Sequence, residues 1–324
     1  MMAPVCADPA LDREVDVAEP TSPDPVPVGL EGLFPAASRP ELGAARVHPA
    51  LTAAPSWTDR YVPGRHGEVR VREYTPTGTA AGPRLVWVHG GGWVVGTLND
   101  PEAHDVSMAV AAAGFPVTSV EYGLLPMFSV VGPTLLRPSP FRYPVSQDQV
   151  MDAWLDAQRT HGGPMWLGGA SAGACLAAGV ALRLRNGEGP APVGLAFFYG
   201  LFHGVLPPAS PALRRRLFGL TDLRVGQELV RRAAVNYAGS VQDLRNPAVF
   251  PAIGDLAGLP PVHLLNADRD ILRSSAENFA HRLTAAEVVH EGWFLPGSTH
   301  GFLANPVSEE FRQGTRALAG WLRT

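Results

Sequence analysis

From Arg84 to Arg323 short apolar runs alternate with longer amphipathic ones, and this alternation decides most of what the chain can fold into. RLVWVH at 84–89 is a continuous apolar strand, EAHDVSMAVAAAG at 102–114 a helix ended by Gly114, and PVTSVEY at 116–122 the next strand. VSQDQVMDAWLDAQRTHGG at 145–163 is a helix with glycines at its C-terminus, MWLGG at 165–169 a short strand, and Ala172 to Arg185 a helix. VGLAFFYG at 193–200 and PVHLLNA at 261–267 are core strands, the second followed by a helix near 274–286. VVHEGWFLPG is a last strand, and SEEFRQGTRALAGWLR a closing helix with Phe311, Leu318 and Trp321 at spacings of seven and three. Strands that are apolar at nearly every position need cover on both faces, and strands joined by helices run parallel. The expectation is an α/β fold, with a mostly parallel central sheet and helices on both faces. Ahead of this block, EVRVREY from Glu68 alternates valine with charge, as an antiparallel edge strand does.

Composition narrows the function classes. The 324 residues are 46% hydrophobic, enough for a large core, and the formal net charge of −4 comes without a long run of either sign, so neither nucleic acid nor a membrane surface is expected as a partner. All 26 basic residues are arginine, which reads as the coding bias of a high-GC bacterial genome and rules out a lysine Schiff base or a Ser–Lys dyad. Two cysteines, Cys6 and Cys175, are too few for a disulfide framework and suggest a reducing compartment. The first residues lack a basic-then-apolar leader, and no apolar run reaches the roughly 18–20 residues of a membrane span, so a cytoplasmic location is expected. A homodimer is left open.

Residues 1–56 are rich in Pro, Ala and Asp, yet Leu30, Leu33, Phe34, Leu42 and Leu51 make them too apolar for a linker; a docked cap segment is expected, with 57–324 as the main domain. Residues 203–258 interrupt the alternation with a Pro- and Arg-rich, partly helical stretch, read as a cap insertion over the carboxyl ends of the strands. Those ends are where open α/β sheets place their sites.

Two short stretches carry chemistry. GGASAGACLAAG contains Gly169-Ala170-Ser171-Ala172-Gly173, a G-x-S-x-G pattern between a strand and a helix, where small neighbours let the chain turn sharply and present a serine hydroxyl. A hydroxyl is a poor nucleophile unless a base takes its proton. In such folds the order is Ser, then Asp or Glu, then His. NADRDILR after one strand offers Asp268 and Asp270, and PGSTHGF after the last strand offers His300. His281 falls mid-helix and His290 leads into a strand, so both read as structural. The other stretch is LVWVHGGGWVVG, where three glycines follow His89. Bare backbone there suits N–H groups aimed at the negative oxygen of a tetrahedral intermediate, with Gly91 and Gly92 as donors alongside Ala172. A phosphate cradle is excluded, since no G-K-[ST] follows and no lysine exists.

HGGGW, G-x-S-A-G, D-x-L-R and HGF, in this order and spacing, resemble the hormone-sensitive-lipase-like family of bacterial esterases over roughly residues 60–324. GTLNDPEAHD, EYGLLP and GLPPVHLL are similar to that family's pattern as well. The resemblance implies an α/β-hydrolase fold with a helical cap, hydrolysis of short acyl esters through an acyl-enzyme, no cofactor and no metal. It implies Ser171 as nucleophile, Asp270 as acid, His300 as base, and Gly91, Gly92 and Ala172 as oxyanion donors. Trp93, Tyr122, Phe128 and Phe141 are expected as substrate-lining side chains.

Three departures bear on this expectation. The family's Asp before the nucleophile is Ala170; its D-Y-R-L-A-P-E is Glu121-Tyr122-Gly123-Leu124-Leu125-Pro126-Met127; and the Gly after S-A-G is Ala174, followed by Cys175, read as a core residue. The expectation is that apolar packing has replaced a polar network near the nucleophile. The apolar, proline-punctuated insert at 127–142 is expected to rim the pocket. An acyl-enzyme would also serve a biosynthetic acyltransferase or cyclising enzyme, and gibberellin receptors, which resemble the family, illustrate a ligand-binding alternative. The complete Ser171, Asp270, His300 set argues against the latter.

Overall fold

The apolar runs pair edge to edge into one eight-stranded sheet in the computed structural model, which describes residues 54–128, 138–217 and 223–324. The strands are β1 (Ser56–Val62), β2 (Val69–Thr75), β3 (Arg84–Val88), β4 (Val117–Glu121), β5 (Met165–Ala170), β6 (Gly194–Phe198), β7 (Val262–Arg269) and β8 (His290–Thr299), in the order β1-β2-β4-β3-β5-β6-β7-β8. β1–β2 and β2–β4 are antiparallel pairs; the remaining pairs are parallel.

One expectation is corrected here. EVRVREY, now β2, is not an edge strand, because β1 pairs along its whole length and takes the edge. The sequence of β1, SWTDRYV, has only Val62 buried, so it carries no alternating apolar face by which to be recognised. It is held largely by polar pairs: Asp59 accepts from the buried Arg72, and Arg60 donates to Glu73.

Side chains alternate across the sheet, so each central strand feeds two cores. On one face Trp87 and Phe198 meet α1 (His104–Ala112) and α7 (Glu309–Trp321) through Val106, Val110, Phe311, Leu318 and Trp321. On the other, Val86, Val88, Leu167 and Phe197 meet α2 (Val145–His161), α3 (Ala172–Arg183) and α6 (Arg273–Ala285) through Met151, Trp154, Leu176 and Phe279. Truncating one of these aromatics to alanine would cost about 3–5 kcal/mol. Cys175 lies in this second core with its thiol 3.7 Å from the Val249 carbonyl, and burial pushes the thiol pKa up, away from reactivity.

Within 203–258 the chain forms α4 (Pro211–Leu217) and α5 (Leu223–Ala238), and Leu229, Val230, Ala233, Ala234 and Tyr237 of α5 join the second core. Residues 1–53, where the N-terminal cap segment is expected, lie outside the described residues, as do 129–137 of the expected pocket rim. Among the described residues no helix is long and apolar enough to cross a membrane.

The strand order brings distant loops together. β3 and β5 are neighbours with Val88 opposite Gly169, so the glycine run after β3 and the serine turn after β5 emerge side by side. β7 and β8 are neighbours with Arg269 opposite Thr299, so Asp270 and His300 emerge side by side.

Candidate active site

Ser171 stands between β5 and α3 at φ 51°, a conformation that costs a non-glycine residue of order 1–3 kcal/mol. The turn is sharp because α3 starts against the end of β3: a Cβ on Gly173 would come within 2.2 Å of the Val88 carbonyl oxygen and 2.3 Å of that of His89. The serine is only 6% exposed, so it is reached through a pocket rather than displayed on the surface.

His300 Nε2 lies 3.0 Å from Ser171 Oγ, and His300 Nδ1 lies 2.7 Å from Asp270 Oδ2. With Nδ1–H donating to the carboxylate, Nε2 is left as an acceptor for the serine hydroxyl. Asp270 is fixed in turn, its Oδ1 accepting the Leu272 N–H at 2.9 Å. Burial lowers the His300 pKa, but the charge and hydrogen bond of Asp270, joined by the charge of Glu102, outweigh it and hold the imidazole above its ordinary value. Asp268 has different work. It is fully buried, accepts the Gly297 N–H at 2.9 Å and pairs with Arg273 at 3.0 Å, tying the end of β7 to β8 and to the start of α6.

The glycine run is held from several sides. His89 is buried and stacks on Tyr122 with ring centroids 4.6 Å apart. The Tyr122 hydroxyl donates to the Gly90 carbonyl at 2.8 Å. Gly91 has φ 98° and approaches Val95 so closely that a Cβ would lie 1.9 Å from its carbonyl oxygen. Among the described residues none accepts a hydrogen bond from the N–H of Gly91, Gly92 or Ala172.

These elements surround a pocket lined by Gly92, Trp93, Ser171, Ala172 and His300 at its reactive end, with Leu201, Leu229, Val230, Ala233 and Leu272 along its walls. Of the substrate-lining side chains expected from the sequence, Trp93 is on this wall and three are not. Tyr122 is turned under the glycine run, Phe128 is packed into the second core, and Phe141 covers Gly123, where a Cβ would meet the ring at 2.2 Å. The wall of α5 falls within the stretch expected to cap the strand ends, but which of its side chains line the pocket carried no signal beyond the amphipathic pattern of an ordinary helix. Neither is the region of the nucleophile wholly apolar, as Ala170 suggested: Glu102 sits beside it and accepts the Gly90 N–H at 2.5 Å.

Residues 85–304 match the family model described as the alpha/beta hydrolase fold. The chain belongs to the α/β-hydrolase fold family. As an α/β hydrolase it is 30% identical over 256 residues to the carboxylic ester hydrolase LipN of Mycobacterium tuberculosis, an alignment covering 76% of this chain and 64% of that protein. It is 27% identical over 263 residues to an ethyl acetate hydrolase of Pseudomonas putida, covering 72% of this chain and 70% of the other. Among solved structures, the Pyrobaculum calidifontis esterase superposes on this α/β hydrolase with a TM-score of 0.70 at 27% identity, over 83% of this chain and 84% of its own.

Proposed function

We propose that the protein is a serine carboxylesterase acting on short-chain acyl esters through an acyl-enzyme, with Ser171 as nucleophile, His300 as general base and Asp270 as its orienting acid. The observation that carries this reading is the continuous line from Ser171 Oγ to His300 Nε2 and from His300 Nδ1 to Asp270 Oδ2, ending in an apolar pocket. Similarity to ester hydrolases on most of the chain supports it.

The chemistry follows from the geometry. Ser171 Oγ attacks the ester carbonyl carbon as its proton passes to His300 Nε2, and the carbonyl electron pair moves onto oxygen. The N–H groups of Gly92 and Ala172 at the pocket, with Gly91 beside them, are the donors for that oxygen, and each preorganised donor is worth about 3–4 kcal/mol in the transition state. As the tetrahedral species collapses, the bond to the alcohol oxygen breaks and His300 returns its proton there, leaving Ser171 acylated. Water then repeats the sequence, losing a proton to His300 and releasing the acid. Asp270 keeps the imidazole in the required tautomer and stabilises its charged form.

The pocket sets the substrate class. Among the described residues its walls are Trp93, Leu201, Leu229, Val230, Ala233 and Leu272, and His300 is the only ionisable side chain lining it. That favours an uncharged, compact acyl group. We propose that the helices of 203–258 cap this pocket, that the sheet and its other helices form the catalytic domain, and that the enzyme works in the cytoplasm. The test is a panel of p-nitrophenyl esters of rising chain length, run with a fluorophosphonate probe. Short esters should turn over fastest, and both turnover and labelling should vanish in Ser171→Ala with the fold retained. Labelling at another serine would overturn the assignment.

A further inference from the structure

Glu102 is no member of the Ser171–His300–Asp270 line, yet it braces two parts of the same site. Its Oε2 accepts the Gly90 N–H at 2.5 Å, its Oε1 accepts the Tyr199 hydroxyl at 2.6 Å, and its own carbonyl accepts Trp87 Nε1 at 2.8 Å. A Cβ placed on Gly90 would come within 2.5 Å of Glu102 Oε2 and 3.0 Å of Ser171 Cβ, so carboxylate and serine lie on the same side of that glycine. At the other arm, Tyr199 is buried and held at φ 36°, a conformation that tyrosine adopts only when its surroundings impose it. Its ring stands edge-on to His300, with centroids 5.0 Å apart, and to Phe302 at 4.8 Å.

One carboxylate therefore ties the start of the glycine run to the ring against which the imidazole rests. The bridge uses both oxygens, the Gly90 N–H donating to one and the Tyr199 hydroxyl to the other. A carboxylate offers them in one rigid plane, and both bonds gain from its charge. We propose that Glu102 is a positioning residue for ester cleavage, fixing the oxyanion donors and the imidazole in one register with Ser171. This rests on Ser171 and His300 being nucleophile and base.

The test compares Glu102→Ala, Glu102→Gln and Tyr199→Phe in the full-length enzyme. Glu102→Ala removes both acceptors, and kcat should fall about 10- to 100-fold with KM nearly unchanged, the scale on which misplacing reacting groups slows chemistry. Glu102→Gln keeps the shape of the bridge, because the Tyr199 hydroxyl can accept from the amide, and should recover most of that loss. His300 is faced by Asp270 at Nδ1, Ser171 at Nε2, the Tyr199 ring and, through space, Glu102. Removing only the Glu102 charge should therefore move the acidic limb of kcat/KM to lower pH in Glu102→Gln. Tyr199→Phe cuts one arm without leaving a cavity and should lower kcat even if Glu102→Ala folds poorly.

Wild-type kcat in a folded Glu102→Ala and in Tyr199→Phe would overturn the proposal. So would losses that follow thermal stability alone, with an unmoved acidic limb. If the underlying nucleophile assignment fails, wild-type Ser171 will not take the fluorophosphonate; failure of this proposal alone leaves a labelled enzyme whose variants behave like wild type.

Discussion

The rings of Trp93 and Tyr237 are stacked, with centroids 4.5 Å apart and planes 3° from parallel. Trp93 follows the glycine run, and Tyr237 belongs to α5, so this contact joins the oxyanion loop to the insertion that walls the pocket. Both side chains are buried, and neither Trp93 Nε1 nor the Tyr237 hydroxyl has a hydrogen-bond partner among the described residues. The pair is thus held by packing alone. Tyr237→Phe is expected to keep or raise stability, since a buried hydroxyl without a partner costs about 1–3 kcal/mol. Tyr237→Ala is expected to lose about 3–5 kcal/mol and to slow turnover, because the cavity frees Trp93. Urea unfolding of the two variants beside wild type checks this; a Phe variant less stable by more than the experimental error would mean that the hydroxyl is bonded.

Asp270 and Asp268 are two residues apart and should separate cleanly by kinetics. Asp270→Asn is expected to cut kcat by about 10⁴, the effect of disturbing tautomer and charge in such a triad. Asp268→Asn should act mainly on stability, by about 3 kcal/mol, because the charge opposite Arg273 is lost and one amide oxygen cannot serve both Arg273 and the Gly297 N–H. Steady-state rates and melting curves for both variants decide the matter, and the reverse ranking would exchange their roles.

The acid dependence of turnover has a definite sign. His300 must be neutral to accept the serine proton, and its pKa is raised from 6.5 because Asp270 and Glu102 outweigh the opposing effect of burial. The acidic limb of kcat/KM should therefore have its midpoint above 6.5. A pH profile of kcat/KM with a neutral ester measures it; a midpoint below 6.5 would mean that burial dominates.

Far from the pocket, Asp59 anchors the polar edge strand. A hydrogen bond from Arg72 lowers its pKa, burial raises it, and a further hydrogen bond from Arg70 helps bring it to about 2. The carboxylate thus stays charged in the folded state under conditions that protonate it in the unfolded chain, so its contribution is complete above 3.8 and is lost as pH falls through about 2. With the side chain 24% exposed, the effect is reduced by solvent, and Asp59→Asn is expected to cost about 1–2 kcal/mol at neutral pH. Denaturant unfolding at pH 7, 4 and 2 should show the gap from wild type closing as the pH drops.

How much of this was legible in the sequence follows from which residues carry a one-dimensional signal. β3 through β8 and the helices α1, α2, α3, α6 and α7 are apolar runs or amphipathic patterns, and those survive without a structure. Ser171, Asp270 and His300 sit at the ends of such runs in a fixed order. β1 was missed because its contacts are charges on Asp59 and Arg60 rather than a buried face. Glu102 was missed because its meaning is a juxtaposition: it lies 97 residues from Tyr199, and nothing in PEAHD says that both oxygens will be used. The walls contributed by Leu229, Val230 and Ala233 depend on where α5 docks, which helix periodicity does not specify.

Phe141 lies over Gly123 with no space left for even a methyl group between them. Position 123 is where the chain departs from the arginine of the esterase family it resembles, and the occupied space makes that departure hard to reverse. Restoring arginine would require a smaller residue at 141 first, and shrinking 141 first would open a void that glycine cannot fill. Neither step is favourable alone, so homologues that share this loop are expected to carry glycine with a large aromatic, or a longer side chain with a small one, and seldom a mixture.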